Sequence, residues 1–472
     1  MKKNLLYTFL LALALSVSSC LDKYPENAIL ADDAITTIDE ADQAVIGIYS
    51  SFLSGALYSG YLTLLPDIQT DLVYAVNGYT NTYGDIWRWN DILATNSQIE
   101  SVYAALYTVI GRCNFLLDNA ENMRKKMTDD DALDRLDVYC GEAYFARALA
   151  YSELIKQFCK AYESDADAQN ELGVVLRTHY YSDEPIKRAS LYDSYQQVLS
   201  DLELAEKALA LGDDYDIAVD GYMYNSTYFN EYTVCALRAR IALYMKKYDE
   251  AIKYSTKVID SGHYFLSSAT QLYDSQYSYY QYMWTSDNST EVIWKIGFTS
   301  TSYGGALGQV FFNYDYNSMK PDYVPAQWVL SLYDSNDLRY STFFQTFTTG
   351  HTHGLTWPLL AKYWGNEGLY NEAQLLHVSM PKVFRLSEQY LIRAEAYVMN
   401  EDFAKAGKDI TTLRKARYST YGTSTAISKD NAMKIVEEER VKELFMEGFR
   451  LMDLKRWHKG FERTPQEQSL EN

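Results

Sequence analysis

Apolar positions recur at three-and-four spacing through both ends of this chain, and between Gly262 and Pro381 that period fades. Ile99, Val102, Tyr103, Leu106, Val109, Ile110, Cys113, Leu116 and Leu117 fall on one side of a 3.6-residue repeat, which predicts an amphipathic helix. GEAYFARALAYSELIKQF, from Gly141, predicts another, its alanines favouring helix and allowing close approach of neighbours. NEYTVCALRARIALYMKKYDEAIKYSTKVIDSG (230–262) reads as a helix, a short turn and a second helix stopped by Gly262, and SEQYLIRAEAYVMNEDFAKAGKDITTLRKAR (387–417) reads the same way. In each, an aromatic precedes an alanine by three where the second helix begins: Tyr248/Ala251 and Phe403/Ala406. Helix pairs of about 34 residues with small residues near the turn match tetratricopeptide repeats; a generic helical hairpin leaves a similar trace. The fold class expected is mostly α.

In the irregular middle, EVIWKIGF alternates, with Val292, Trp294, Ile296 and Phe298 on one face, so a strand is expected there and Trp294 is expected in the core. Gly304, Gly305 and Gly308 lack the lysine and hydroxyl of a phosphate loop and read as a flexible segment. Fourteen of the 51 residues from 273 to 323 are Phe, Trp or Tyr, about 27% against 15% for the whole chain. The densest run, QYSYYQYMW (276–284), has five aromatics in nine positions and no helical or strand period that would gather them on one buried face. NGYTNTYGDIWRWN (77–90) similarly interleaves Tyr79, Tyr83, Trp87 and Trp89 with Asn77, Asn81, Arg88 and Asn90. A pyranose ring rests its C–H face on a flat π-system while amides and charged groups hydrogen-bond its rim, and tyrosine supplies both a rigid ring and a hydroxyl. Candidate saccharide-binding residues are therefore Tyr79, Asn81, Tyr83, Trp87, Trp89, Asn90, Tyr277, Tyr279, Tyr280, Tyr282 and Trp284. A long loop-rich insertion in a helical scaffold is where binding function concentrates.

The N-terminus, MKKNLLYTFLLALALSVSSC, has two lysines and an apolar run from Leu5 to Val17. That run is too short for a bilayer span and suits a secretory signal. Val17-Ser18-Ser19-Cys20 is a box cut before a cysteine that becomes lipidated, so residues 1–19 are expected to be removed, Cys20 acylated, and the remainder soluble and tethered. The net charge of −20 becomes −22 once the two lysines leave, which argues against nucleic acid and anionic surfaces and suits neutral ligands. Cys113, Cys140, Cys159 and Cys235 show no zinc spacing and read as buried thiols. No cofactor motif appears, and His351-Thr352-His353 has no completing ligand for a metal. No nucleophile elbow is present. Glu439, Glu443 and Glu447 look like chemistry but read as a packed helix with a salt-bridged flank across 437–457, with Glu438/Lys442, Glu447/Arg450 and Asp453/Arg456 as pairs. No catalytic residues are expected.

Read end to end, the chain resembles the SusD/RagB group of outer-membrane nutrient-binding lipoproteins. CLDKYPEN follows the lipobox; IDEADQAVIGIYSSF (38–52), with Asp67 and Asp71 beyond, is similar to the family's first helix and the acidic stretch after it. SVYAALYTVIGRCNFLL and GEAYFARALAYSELIKQF match two later helices, and LIRAEAYV precedes LRKAR in the family's order. Glu439-Arg440, Glu443-Leu444, Glu447-Gly448, Arg450 and Asp453-Leu454, closing on Arg456-Trp457, are similar nearly position for position to its C-terminal signature. The resemblance implies about four tetratricopeptide-type pairs with an irregular insertion. It implies one face on a SusC-like TonB-dependent outer-membrane barrel, and a glycan-facing surface drawn from 74–90 and roughly 270–320. It implies a protein that binds poly- or oligosaccharide and delivers it. The layout expected is a signal (1–19), a tether (20–35), an N-terminal helical part (36–260), the aromatic insertion (261–380) and C-terminal repeats (381–472), in one discontinuous domain outside the cell. Family members continue past the last tryptophan helix to a proline-containing segment, so the stop at Asn472 implies a shortened C-terminus. Two alternatives stay open: a glycan-degrading lipoprotein with an unrecognised carboxylate pair, and a peptide-binding repeat scaffold.

Overall fold

The computed structural model describes residues 34–76, 82–90, 92–181, 183, 185–210, 223–315, 318–319, 321–348, 356–422 and 424–464. Cys20, Asn77, Tyr79, Asn81 and the His351–His353 pair lie outside the described residues. The predicted helical stretches are helices. In α1 (Ile38–Ser51) the Thr37 hydroxyl accepts the Glu40 amide and the Glu40 carboxylate accepts the Thr37 amide, satisfying two of the orphan donors of the first turn. The short α2 (Tyr61–Ile68) is buried on nearly every side. Then α3 (Ser97–Lys126), α4 (Asp130–Phe158), α5 (Leu191–Leu209), α6 (Glu231–Tyr244) and α7 (Tyr248–Ile259) pack each on the next. Close approach follows from composition: Ala143, Ala146, Ala148 and Ala150 are fully buried, and Gly141 meets Ala208 and Leu209 of α5.

The chain leaves the stack through an irregular stretch holding α8 (Tyr279–Thr285) and α9 (Glu367–Ala373). It returns as α10 (Leu386–Met399), which packs on α7, and continues as α11 (Phe403–Arg417), α12 (Ala432–Glu443) and α13 (Arg450–Arg456). The two helix pairs read at 230–262 and 387–417 are thus α6/α7 and α10/α11, apposed in the stack. The fold is mostly helical. No described helix is long and apolar enough to cross a membrane.

Three readings change. The 437–457 segment is two helices, since Leu444–Phe449 turn sharply through Gly448 at φ +84°. Of its expected pairs Asp453/Arg456 forms, whereas Glu447 faces Arg385 and Lys362, and Arg450 faces Asp71 and Glu437. The strand at Val292–Lys295 is buried on both faces: it pairs antiparallel with Lys382–Arg385, Trp294 opposite Phe384, and Lys295 is accommodated because its Nζ donates to the Asp287 carbonyl at 2.6 Å. The glycines at 304–308 are not a flexible segment; an added Cβ would lie 2.6 Å from the Ser59 carbonyl at Gly305 and 1.9 Å from the Tyr363 carbonyl at Gly308. Backbone approach explains them.

Two cores result. One fills the helical stack and includes Trp294, as expected. The other gathers α2, Val73–Val76, Trp87, Tyr280, Trp284, Phe311, Phe312, Tyr323 and Phe445. Antiparallel pairing of Val73–Ala75 with Tyr323–Pro325 ties the early segment to the insertion, and Tyr323 adds a hydroxyl bond to the Thr82 carbonyl at 2.6 Å. Cys113, Cys140, Cys159 and Cys235 are buried thiols.

Candidate functional site

QYSYYQYMW is organised after all. Ser278 caps α8 in a reciprocal box with Gln281, and the helix places Tyr280, Met283 and Trp284, at i, i+3 and i+4, on one buried face. Its outer side carries Tyr279 and Tyr282, aromatic as well, so rings occupy both faces and no polar/apolar contrast marks the period. Tyr280 and Trp284 are 0% and 4% exposed, which corrects their expected role: neither offers a face to a ligand. Tyr280 lies under the Arg417 guanidinium at 3.9 Å, and Lys362, Lys382 and Arg385 surround Trp284 at 4.3–5.3 Å.

Those cations belong to a buried ionic cluster that α8 rests on. Arg417 contacts Glu291 at 2.8 Å and Glu443 at 2.9 Å. Arg385 contacts Glu291, Glu443 and Glu447 at 2.8, 3.1 and 2.8 Å, and Arg339 contacts Asp337, Glu439 and Glu443 at 2.7, 2.7 and 3.2 Å. The C-terminal carboxylates that looked like chemistry are paired with guanidiniums and with the ammoniums of Lys362 and Lys442, and what they do is hold the floor beneath α8.

Above that floor the chain 271–278 folds back on itself. Tyr279 donates its amide to the Gln271 carbonyl at 3.0 Å, Tyr273 donates to the Tyr277 carbonyl at 2.9 Å, and Asp274 accepts the amides of Gln276 and Tyr277 at 2.7 and 2.8 Å. This sets the Tyr273 ring flat on Tyr282, centroids 3.7 Å apart and planes 16° apart, with Tyr279 edge-on to Tyr273 at 5.6 Å. Tyr273 and Tyr279 are 47% and 38% exposed and Tyr282 is half-buried. Tyr277, half-buried, gives its hydroxyl to Glu367 on α9; that bond to a carboxylate, and then burial, push its phenol up to about 12. Asn366, which caps α9, donates to buried Asp287 at 2.7 Å, so α8, α9 and the fold-back form one braced unit. Trp364, beside that cap, is exposed and parallel to Phe347 at 5.6 Å, and Tyr370 on α9 is exposed too. Tyr273, Trp364 and Tyr370 were not singled out from sequence; the last two stand among polar neighbours without the clustering that marks 276–284.

In the first aromatic stretch Trp87 is fully buried, its indole N–H donating to the Val73 carbonyl at 3.2 Å and its ring covered by Arg463 at 4.2 Å. It too is corrected to a core residue. Tyr83 is half-buried edge-on to Tyr61, and burial pushes its phenol up to about 12. Trp89 is half exposed, and its N–H donates to the Gln69 carbonyl at 2.7 Å, which fixes the ring while leaving it in solvent; Asn90 is exposed beside it. Tyr83 and Trp89 both sit at φ +61°, a conformation bulky residues adopt only where surroundings impose it. The buried members of both stretches share the second core, so inner rings anchor the segments whose outer rings stay open. Among the described residues no three His, Cys, Asp or Glu groups converge to hold a metal.

The comparisons with known proteins agree with this architecture. The family model described as "Starch-binding associating with outer membrane" matches residues 21–243, and that of the SusD family matches 352–471, most of the chain between them. A SusD-like protein of Formosa agariphila is 24% identical, with 98% of this chain and 92% of the relative aligned. A SusD superfamily protein from Bacteroides thetaiotaomicron superposes with a TM-score of 0.75 at 23% identity, covering 91% of this chain and 90% of that one. A SusD-like carbohydrate binding protein from Bacteroides vulgatus superposes with a TM-score of 0.69 at 19% identity, covering 90% and 84%. With the family's C-terminal signature engaged in the ionic floor and its helix pairs in place, the chain belongs to the SusD/RagB family.

Proposed function

We propose that this protein binds a neutral poly- or oligosaccharide at the aromatic shelf of Tyr273, Tyr279 and Tyr282, with Trp89 and Asn90 as a second contact region, and hands it to a TonB-dependent outer-membrane barrel. The observation that carries the reading is the braced, solvent-open tyrosine group on an ionic floor. A sugar ring gains little from any one stacking contact, so rings whose positions are fixed before binding avoid the ordering cost that would cancel it. Gln271, Gln276 and Asp274 line the same fold-back and supply rim donors and acceptors. The names of the matching family and of the Bacteroides vulgatus neighbour support a carbohydrate ligand. The net charge of −20 favours neutral sugars over anionic ones. Anchoring through acylated Cys20 would keep the shelf at the cell exterior. Engagement of the C-terminal carboxylates by buried cations supports binding without cleavage at that group.

Native gels containing amylopectin, xylan, galactomannan or pectic galactan test this. At least one polymer retards the protein, and Tyr273→Ala/Tyr282→Ala weakens that retardation about tenfold with the fold unchanged. Retardation by none of them, release of reducing ends, or an unaffected double variant overturns it.

A further inference from the structure

We propose that Tyr180 and Tyr181 form a second saccharide-stacking platform, on the first helix pair and separate from the 273–282 shelf. After α4 the chain runs back across α3 and α4, and four consecutive residues are pinned from beneath. Arg147, 5% exposed, holds Asp201 through Nε and Nη2 at 2.9 and 2.6 Å and gives Nη1 to the Asn114 side chain at 2.8 Å and the Thr178 carbonyl at 3.2 Å. Asn114, 1% exposed, donates to the carbonyls of Arg177 and His179 at 2.9 and 3.3 Å. Tyr151 accepts the Arg177 amide at 2.6 Å, and Asp118 accepts the Tyr180 amide at 2.8 Å while its other oxygen meets His179 Nδ1 at 2.9 Å.

That network fixes the backbone through Tyr180 and ties down the His179 ring while leaving both tyrosine rings unused. Tyr180 is 46% exposed and Tyr181 73%. The two meet edge-to-face at 4.8 Å, and Phe115 supports Tyr180 edge-on at 5.1 Å. Two open hollows of about 310 and 350 Å³ share the wall made by His179, Tyr180 and Tyr181, each within the size range of small-ligand sites. The smaller hollow is completed by Tyr107, Ile110, Asn114 and Arg177, and the larger by Phe115, Asp118, Glu121, Asn122 and Lys125. Donors and acceptors of both kinds around Tyr180, held from beneath, and Tyr181, edge-on to it, match a polyol with apolar C–H faces; an apolar protein segment or an acyl chain would strand these charges. The acidic chain disfavours phosphate groups and anionic lipid. A polymer reaching both platforms would gain avidity without any new contact type.

The ligand class rests on the proposed function, but the location does not, and one experiment separates them. The full chain in mild detergent is run through native gels with the four polysaccharides above, as wild type, Tyr180→Ala/Tyr181→Ala and Tyr273→Ala/Tyr282→Ala. Because both rings of the platform are solvent-open, the first variant keeps the wild-type melting temperature. It is expected to lose about three- to tenfold in retardation, and hydrogen exchange at 177–181 slows when the retained polymer is added to wild type. Retardation unchanged in this variant but weakened in the other overturns the second platform and spares the shelf. Weakening only in Tyr180→Ala/Tyr181→Ala overturns the shelf and spares the platform. Unchanged retardation accompanied by lost flotation with phosphatidylcholine vesicles, or by lost co-purification of the barrel, assigns these rings to a membrane or protein partner and overturns the proposal.

Discussion

Gly448 shows how one residue carries a long-range joint. It sits at φ +84°, and a Cβ there would come within 3.2 Å of the Thr63 Cα and carbonyl on α2. The turn aims its own amide and that of Arg450 at the buried Asp67 carboxylate, both at 2.9 Å, so a side chain from α2 caps α13 across nearly the whole chain. Arg450 then returns to Asp71 through two bonds of 2.9 Å, a fork that only a guanidinium supplies. Gly448→Ala is expected to cost about 2 kcal/mol, since an L-residue in the left-handed region costs about 1–2 and α2 must also give way. Urea denaturation reads it as a lowered midpoint with an unchanged slope; an unchanged midpoint would show that the joint bears no load.

At the scale of an element, α8 separates the two kinds of aromatic that a sequence presents alike. Tyr280 is enclosed between Arg417 and Phe343, whereas Tyr282 leans on Tyr273 at the surface. Tyr280→Ala should therefore lose about 3–5 kcal/mol of stability through the cavity and the lost ring face beneath Arg417. Tyr282→Ala should stay within about 1 kcal/mol yet weaken polysaccharide retardation. Chemical denaturation and affinity gels on the same two proteins check this, and equal stability losses would place both rings in the core. In the helix pairs α7 was legible by its apolar stripe against a polar side, whereas α6 and α10, buried nearly all round, were legible by their length and helix-forming residues. α8 was not legible, since seven residues with rings on both sides leave no contrast to read. Trp87, Trp89, Tyr280 and Tyr282 differ in what covers them, and the covering groups (Arg463, Arg417, Phe343) come from distant stretches. For the same reason Glu443 was visible as a signature position but its partners, Arg339, Arg385 and Arg417, were not.

Over the whole molecule the ionic floor joins the insertion, the repeats and the C-terminal helices, and its titration should set how stability follows pH. Burial alone would push Glu443 up, but Arg417, Arg385 and Arg339 outweigh it and hold the carboxyl well below its usual range. Glu439, Glu447 and Asp453 are likewise lowered, burial being overcome by Arg339 with Lys442, by Arg385 with Lys362, and by Arg440 with Arg456. A depressed carboxyl contributes stability that is complete above its unfolded pKa and is lost as pH falls through the folded one. Unfolding should therefore become easier below about pH 4.5. Burial acts the other way at three described carboxyls without a guanidinium fork, raising Asp67 to about 7 against the amides of Gly448 and Arg450, Asp322 to about 7 against Thr82 and Asn313, and Glu142 to about 8 against Tyr49. Their contribution is present at low pH and disappears as pH rises through those values. The first limb ends and the second begins where unfolded carboxyls titrate, so the maximum falls at about pH 4.5. Glu443→Gln leaves Arg417 and Arg385 facing one carboxylate fewer, so it should lose about 3–5 kcal/mol at neutral pH and flatten the acid limb. Asp67→Asn should flatten only the alkaline limb. Urea midpoints measured from pH 3 to 9 on the three proteins decide it: an acid limb that keeps its slope in Glu443→Gln would mean that the floor is not what acid unfolds.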